Sequence, residues 1–256
     1  MNIGVFYQSG HKFAACYMAL KQLRIIYPDI PVALWEDGSN ILGEVAHKFN
    51  CDYTRIEQSG SNSKFAGRAV IDLKSNLAFL SRVYKSCTTT LLNADWIVLY
   101  EDDVWCQKKI EKIPLFDMNE AFRPFYTPEL YSYLKNRFNI SDDSRGAWSS
   151  IGCLSNYGAC GGSIFSRRKF IEAYNKLNEI DWDYIYKLDS RPCEWADASL
   201  SFIFQHAGLK NGQWYDCDIY NNQKDITQQT HCAFIHPYKH YYTCTKEDIE
   251  SYENSH

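Results

Sequence analysis

Apolar positions in the first hundred residues alternate between short runs and steps of three and four. Ile3 to Tyr7 is a run of strand type; Phe13, Cys16, Leu20, Leu23 and Tyr27 then recur at the spacing of one helix face, closed by Pro28. Val32 to Trp35 predicts a second strand, halted by Asp37-Gly38-Ser39. Ile41 to Phe49 predicts a short helix, and Tyr53 to Ile56 a third strand. Gln58 to Ser63 is polar and rich in Ser and Gly, the composition of a mobile loop. Leu73, Leu77, Leu80 and Tyr84 form another helical stripe, which leads to Ile97, Val98 and Leu99, a continuous β-branched and apolar run that suits a strand covered on both faces of a parallel sheet.

This βαβ order places the turns Gln8 to Gly10, Glu36 to Ser39 and Glu101 to Asp103 together, because ligands of open α/β sheets bind outside the carboxyl ends of the strands. From Trp105 to Asn156 the pattern is irregular, with several aromatics and few strand signals. It reads as an insertion carrying one helix near Pro128 to Phe138. Tyr157 to Phe170 then supplies glycines ahead of a strand and a helix, a further helix is expected from about Asp197 to His206, and strand-like QWYDCDIY and AFIHPYKHYY follow. No repeat or linker divides the 256 residues, a length that suits one large α/β domain.

Composition narrows the function. The net charge of −4 argues against holding nucleic acid through its phosphates, and the aromatic share of 16% supplies many flat faces of the kind that stack on nucleobases or sugars. MNIGVFYQSG lacks a basic leader, and no apolar run reaches the roughly 18 residues of a membrane span. The ten cysteines show no CxxC pair or zinc-ligand spacing, so buried free thiols in a cytoplasmic protein are expected.

The chemistry begins at ADWIVLYEDDVW. Glu101, Asp102 and Asp103 end the most apolar strand, and acids crowded there repel one another unless a cation lies between them; a divalent ion is the simplest candidate. Downstream, in order, come Gly161-Gly162, Asp197 at the opening of a helix, and a late His236 in FIHPYK. Asp197 stands where a helix N-cap is also expected. The glycines also suit an ordinary turn, and Asp37 before Gly38 suits a turn-stabilising role.

In this order the sequence resembles the nucleotide-sugar-dependent glycosyltransferases of the GT-A fold. YEDDV resembles their DXD element, with Glu101 in place of its first Asp and Asp103 as its last residue. CGGSIF is similar to their glycine loop, ADASLS to the xED element with Ala196 where Glu is frequent, and FIHPYK to the terminal metal-binding His element. The resemblance implies a single domain with a Rossmann-like, open and mostly parallel sheet flanked by helices. Residues 1–103 would form the nucleotide-binding half, and residues 104–256 a smaller acceptor-binding half.

It further implies Asp103, His236 and Glu101 as ligands of Mn²⁺, with Mg²⁺ second, since carboxylates with an imidazole suit manganese. Asp197 is the implied base for the acceptor hydroxyl, with Glu194 just upstream able to substitute. The donor would be held by Gln8, by Asp37 on the uracil or ribose, by Asp102, and by Arg68, Lys74, Asn76 and Lys239 around the diphosphate. Gly161 and Gly162 would admit the backbone close to a sugar. The expected activity is transfer of a sugar from a nucleoside-diphosphate sugar, UDP-linked first, to a carbohydrate or glycan hydroxyl with inversion. Two rivals remain at this point: a sugar nucleotidyltransferase, which usually carries a richer phosphate loop than QSGHK, and a non-catalytic carbohydrate- or nucleotide-binding module, which has no need of Asp103, Asp197 and His236 together.

Overall fold

Both faces of the central parallel strands are buried, which explains their uninterrupted apolar runs. In β1 (Ile3–Ser9) the side chain of Phe6 enters one core and those of Val5 and Tyr7 the other; in β4 (Trp96–Tyr100), Ile97 and Leu99 join the first, Val98 and Tyr100 the second. The period-two alternation of a strand distributes them without leaving a wet face. These elements come from a computed structural model that describes residues 1–10, 12–56, 72–121, 124–140, 148–149, 152–218 and 231–255.

The βαβ elements expected over residues 3–99 form as read. β1 pairs in parallel with β2 (Val32–Asp37) and with β4, and β2 with β3 (Asp52–Ile56). Helices α1 (Phe13–Ile26), α2 (Gly43–Lys48) and α3 (Leu73–Thr88) connect them. The α3 helix is capped by Asp72, whose carboxylate accepts from Ser75 N at 2.7 Å. The expected loop at 58–63 lies outside the described residues.

The stretch read as an insertion contributes more than one helix. It supplies β5 (Trp105–Cys106), then β6 (Met118–Glu120), which enters the main sheet, then α4 (Pro128–Arg137), β7 (Trp148–Ser149) and β8 (Gly152–Cys153). β6 is three residues long, and two of them, Asn119 and Glu120, are polar yet fully buried. Asn119 accepts from Leu115 N and Phe116 N at 3.1 Å and donates to Phe116 O at 2.6 Å, so hydrogen bonds replace the apolar pattern that would have revealed the strand.

β9 (Ile164–Ser166) lies antiparallel between β4 and β6, and β10 (Asn211–Gln213) parallel between β6 and β8. Among the described residues the main sheet runs β3-β2-β1-β4-β9-β6-β10-β8-β7, mostly parallel, with α5 (Arg167–Tyr174), α6 (Trp182–Leu188), α7 (Arg191–Glu194) and α8 (Ala196–His206) following β9. A second sheet joins β11 (Cys217–Asp218), β12 (Phe234–Ile235) and β5. Helix α9 (Lys246–Asn254) starts from a capping box between Thr245 and Asp248. All ten cysteines are free. No helix among the described residues is long and apolar enough to cross a membrane.

Candidate metal centre and active-site cleft

The buried strand β4 delivers Glu101 to the carboxyl edge of the sheet, where the chain turns at once, with Val104 N donating to Glu101 O at 3.0 Å, and departs as β5. β12 lies antiparallel to β5, with Phe234 opposite Cys106 and Ile235 opposite Trp105. One further step of that register carries His236 towards Val104, beside the acids. Tyr238 N donates to Asp103 O at 2.6 Å and locks the approach.

His236 Nε2 accordingly stands 3.4 Å from Asp103 Oδ1 and 3.8 Å from Glu101 Oε2. One donor atom from each of the three residues lies within 4.8 Å of the others. Asp103 Oδ1 is buried and receives no hydrogen bond. A buried carboxylate oxygen without a donor is costly. Two carboxylates and an imidazole nitrogen converging there have the donor chemistry of a divalent-cation site.

The electrostatics agree. Burial, with Asp103, Asp197 and Asp102 adding repulsion against a partial offset from His236, pushes the Glu101 carboxyl up to about 8. Its side chain nevertheless keeps 45% of its surface open, so solvent in the cleft moderates that push. His236 is lifted above its ordinary value: burial opposes the charge, but the close contact with Asp103 and the fields of Glu101, Asp103 and Asp197 prevail.

Asp102 turns the other way. It is buried, accepts from the Tyr7 hydroxyl at 2.8 Å, and is pushed up to about 7, chiefly by desolvation, with Ser9 and Tyr7 opposing. Alternation along the turn thus gives Glu101 and Asp103 to the cleft and Asp102 to the core.

Gly161 forms a wall of the centre. A Cβ there would lie 2.6 Å from Val104 Cγ2, 3.1 Å from His236 Cδ2 and 3.2 Å from Glu101 Oε2. Gly162 has φ +85° and its Cβ would meet Cys217 Sγ at 2.6 Å. The close approach that Gly161 permits is to Glu101 and His236, and that of Gly162 is to Cys217. Cys160 Sγ lies 3.6 Å from His236 Nδ1, on the side of the ring away from Asp103.

Asp197 lies in the first turn of α8; Trp195 occupies the N-cap position and makes no side-chain cap. The expected cap is therefore displaced by two residues, and the Asp197 charge is felt by both Glu101 and His236. Glu194, in α7, accepts from Ser190 Oγ at 2.8 Å and Tyr186 OH at 3.3 Å.

The remaining predicted residues divide by place. Lys239 Nζ is 4.0 Å from Asp103 Oδ2, so it belongs to the cleft. Gln8 accepts from Arg82 Nε at 3.0 Å, and Asp37, fully buried, favours the Arg82 charge against desolvation. Arg82 is thus a cation at this rim that sequence reasoning missed; it sits on α3 outside the apolar stripe and carries no motif. Lys74 is exposed on the first turn of α3. Asn76 is buried, and its amide donates to Cys193 O at 2.8 Å, tying α3 to α7. Arg68 lies outside the described residues.

No family model matches the chain, and no curated protein matches it. Solved structures do. Mouse xyloside xylosyltransferase 1, in its apo form, aligns with a TM-score of 0.51 over 92% of this chain and 97% of its own, at 8% identity. A galactosyltransferase, LgtC, in complex with donor and acceptor sugar analogs, gives 0.46 over 95% and 87%, at 9% identity. A cytidylyltransferase from Leptospira borgpetersenii serovar Hardjo-bovis gives 0.39 over 84% and 77%, at 14% identity. The first of these carries the assignment of architecture: the chain has the α/β fold of GT-A-type glycosyltransferases.

Proposed function

We propose that the protein is a metal-dependent glycosyltransferase that moves a sugar from a nucleoside-diphosphate sugar, UDP-linked first, to a hydroxyl of a carbohydrate or glycan acceptor. The observation that carries this reading is the convergence of Asp103 and His236, 3.4 Å apart, at the carboxyl edge of β4 with Glu101 beside them. Glu101, Asp103 and His236 would hold Mn²⁺, or Mg²⁺ as second choice. When bound, the ion supplies positive charge to the oxygens of the departing diphosphate.

The chain's own residues do the rest. Those through Asp103 form the donor side, where Gln8 and Asp37, with Arg82 beside them, are assigned to the nucleoside; Lys239, from beyond Asp103, joins them at the phosphates. The other residues after Asp103 form the acceptor side. Asp197, in the first turn of α8, takes the proton of the acceptor hydroxyl as the new bond forms, and the single displacement inverts the anomeric centre. Glu194 is already engaged by Ser190 and Tyr186 and ranks second as base.

The test is a panel of nucleotide sugars assayed for free nucleotide with Mn²⁺ and with EDTA. Release from one donor that requires the metal supports the reading. Release of pyrophosphate in place of transfer would mark a nucleotidyltransferase, and no turnover with metal-independent nucleotide binding would mark a binding module.

A further inference from the structure

Beside the acid trio, two lysines from distant parts of the chain meet over one aromatic ring. Lys12, in the turn between β1 and α1, has its Nζ 5.3 Å from the centroid of the Tyr242 ring, and Lys239 has its Nζ 5.6 Å from the same centroid. Lys12 also donates to Tyr242 O at 3.4 Å. The segment that carries Tyr242 is fastened across the cleft: Tyr238 N binds Asp103 O, and the rings of Tyr238 and Tyr241 lie 5.0 and 5.8 Å from that of Trp105. The two ammonium groups are therefore held by packing and not by long-range charge alone.

Their ordinary acidic partners are absent or distant. Lys239 reaches Asp103 Oδ2 only at 4.0 Å, and Lys12 forms no ion pair within that distance among the described residues. Lys12 is half-buried and near enough for its field to act on Asp102. The Tyr242 ring that both lysines flank lies near enough to Asp103, Asp102 and Glu101 to feel their charge. Two ammonium groups gathered beside hard-cation donors form the complement of a diphosphate, which presents oxygens to a divalent ion on one side and to ammonium groups on the other.

We infer that Lys12 is a second diphosphate-binding residue, acting with Lys239 across the Tyr242 ring to grip the phosphates of the donor. This rests on the donor reading given above. It gives the β1–α1 turn a phosphate role, where only Gln8 had a donor role before. The bland role for Lys12 is neutralisation of Asp102, which would leave ligand affinity untouched.

The experiment is calorimetric titration of wild type, K12Q and K12R with UDP, GDP and CDP in the presence of Mn²⁺, at several salt concentrations, using the tightest nucleotide for the comparison. The expected result is a Kd at least about tenfold weaker in K12Q. Its dependence on salt should be shallower than in wild type, because one screened charge has gone, and K12R should recover most of the affinity. Equal affinity and equal salt dependence in wild type and K12Q overturn the inference and leave the donor reading standing. Equal affinity with altered thermal stability assigns Lys12 to Asp102 alone and likewise overturns it. Failure of wild type to bind any of the three nucleotides removes the donor reading itself, and the inference with it.

Discussion

The Tyr7 hydroxyl donates a 2.8 Å hydrogen bond to Asp102 across 95 residues of sequence, and so withdraws the middle acid of the Glu101-Asp102-Asp103 turn from the cleft. Its two neighbours are left facing His236. Tyr7→Phe strips that bond from a buried carboxyl, which should destabilise the fold by about 1–3 kcal/mol in chemical denaturation while leaving Mn²⁺ affinity within about twofold of wild type.

The same carboxyl makes the metal-free protein sensitive to alkali. Its folded value, about 7, lies above the ordinary carboxylate value, so the native state holds a proton that the unfolded chain releases. Stability is full below the ordinary value, near pH 4, and is lost as pH rises from there towards about 7. In EDTA, Asp102→Asn should flatten this decline. A variant whose melting temperature tracks wild type at every pH from 4 to 8 refutes the assignment.

Metal binding should read out directly as stability. Mn²⁺ should raise the melting temperature of wild type by mass action. Asp103→Asn and His236→Ala should each abolish the rise at millimolar metal. Glu101→Gln should weaken it by a smaller factor, since Glu101 is the most open of the three.

The glycine wall predicts a suppressible lesion. In Gly161→Ala the new methyl meets Val104 Cγ2 at 2.6 Å and presses on His236 and Glu101. Mn²⁺ affinity should fall about tenfold or more, in the range typical of a displaced ligand sphere. Adding Val104→Ala removes the worst contact and should restore part of it, as a double-mutant cycle in metal titrations would measure.

His206 provides an acid-side prediction away from the cleft. Burial first, then Arg137 and Lys176, hold its imidazole down at about 4, and its ring sits 3.3 Å from the Tyr133 hydroxyl. The unfolded chain takes up a proton that the native state refuses, so stability is full above pH 6.5 and is lost as pH falls towards 4. His206→Gln should reduce the slope of melting temperature against pH in that window.

For turnover, Asp197→Asn should preserve nucleotide and Mn²⁺ binding and lower the transfer rate by about 10²–10⁴. Transfer at the wild-type rate would move the base elsewhere, with Glu194→Gln as the next variant to assay.

The legible parts of this chain are those where burial imposes a period. β1, β2 and β4 are covered on both faces and announce themselves as apolar runs, and α1 and α3 show their stripes. β6 could not be read, because its buried Asn119 and Glu120 are stabilised by hydrogen bonds that only the folded chain supplies. The site was legible where several acids stood together or a short element kept its order, as for Glu101, Asp103 and His236. The turn of Asp102 towards Tyr7, the Cys160 contact with His236 and the Arg82 contact with Gln8 depend on pairings between remote segments, and no local spacing encodes them. Helix α9 is different: its Thr245–Asp248 capping box was present in the sequence as a readable start signal.

The pairing of β12 with β5 makes the centre a late assembly. An N-terminal fragment ending at residue 230 would retain β1 to β4 and both acids of the cleft, yet lack His236 and Lys239. Competence for a cation at this cluster would thus depend on the segment from 231 to 239, and a ribosome-bound chain not yet extended through it would hold mutually repelling carboxylates with nothing to reconcile them.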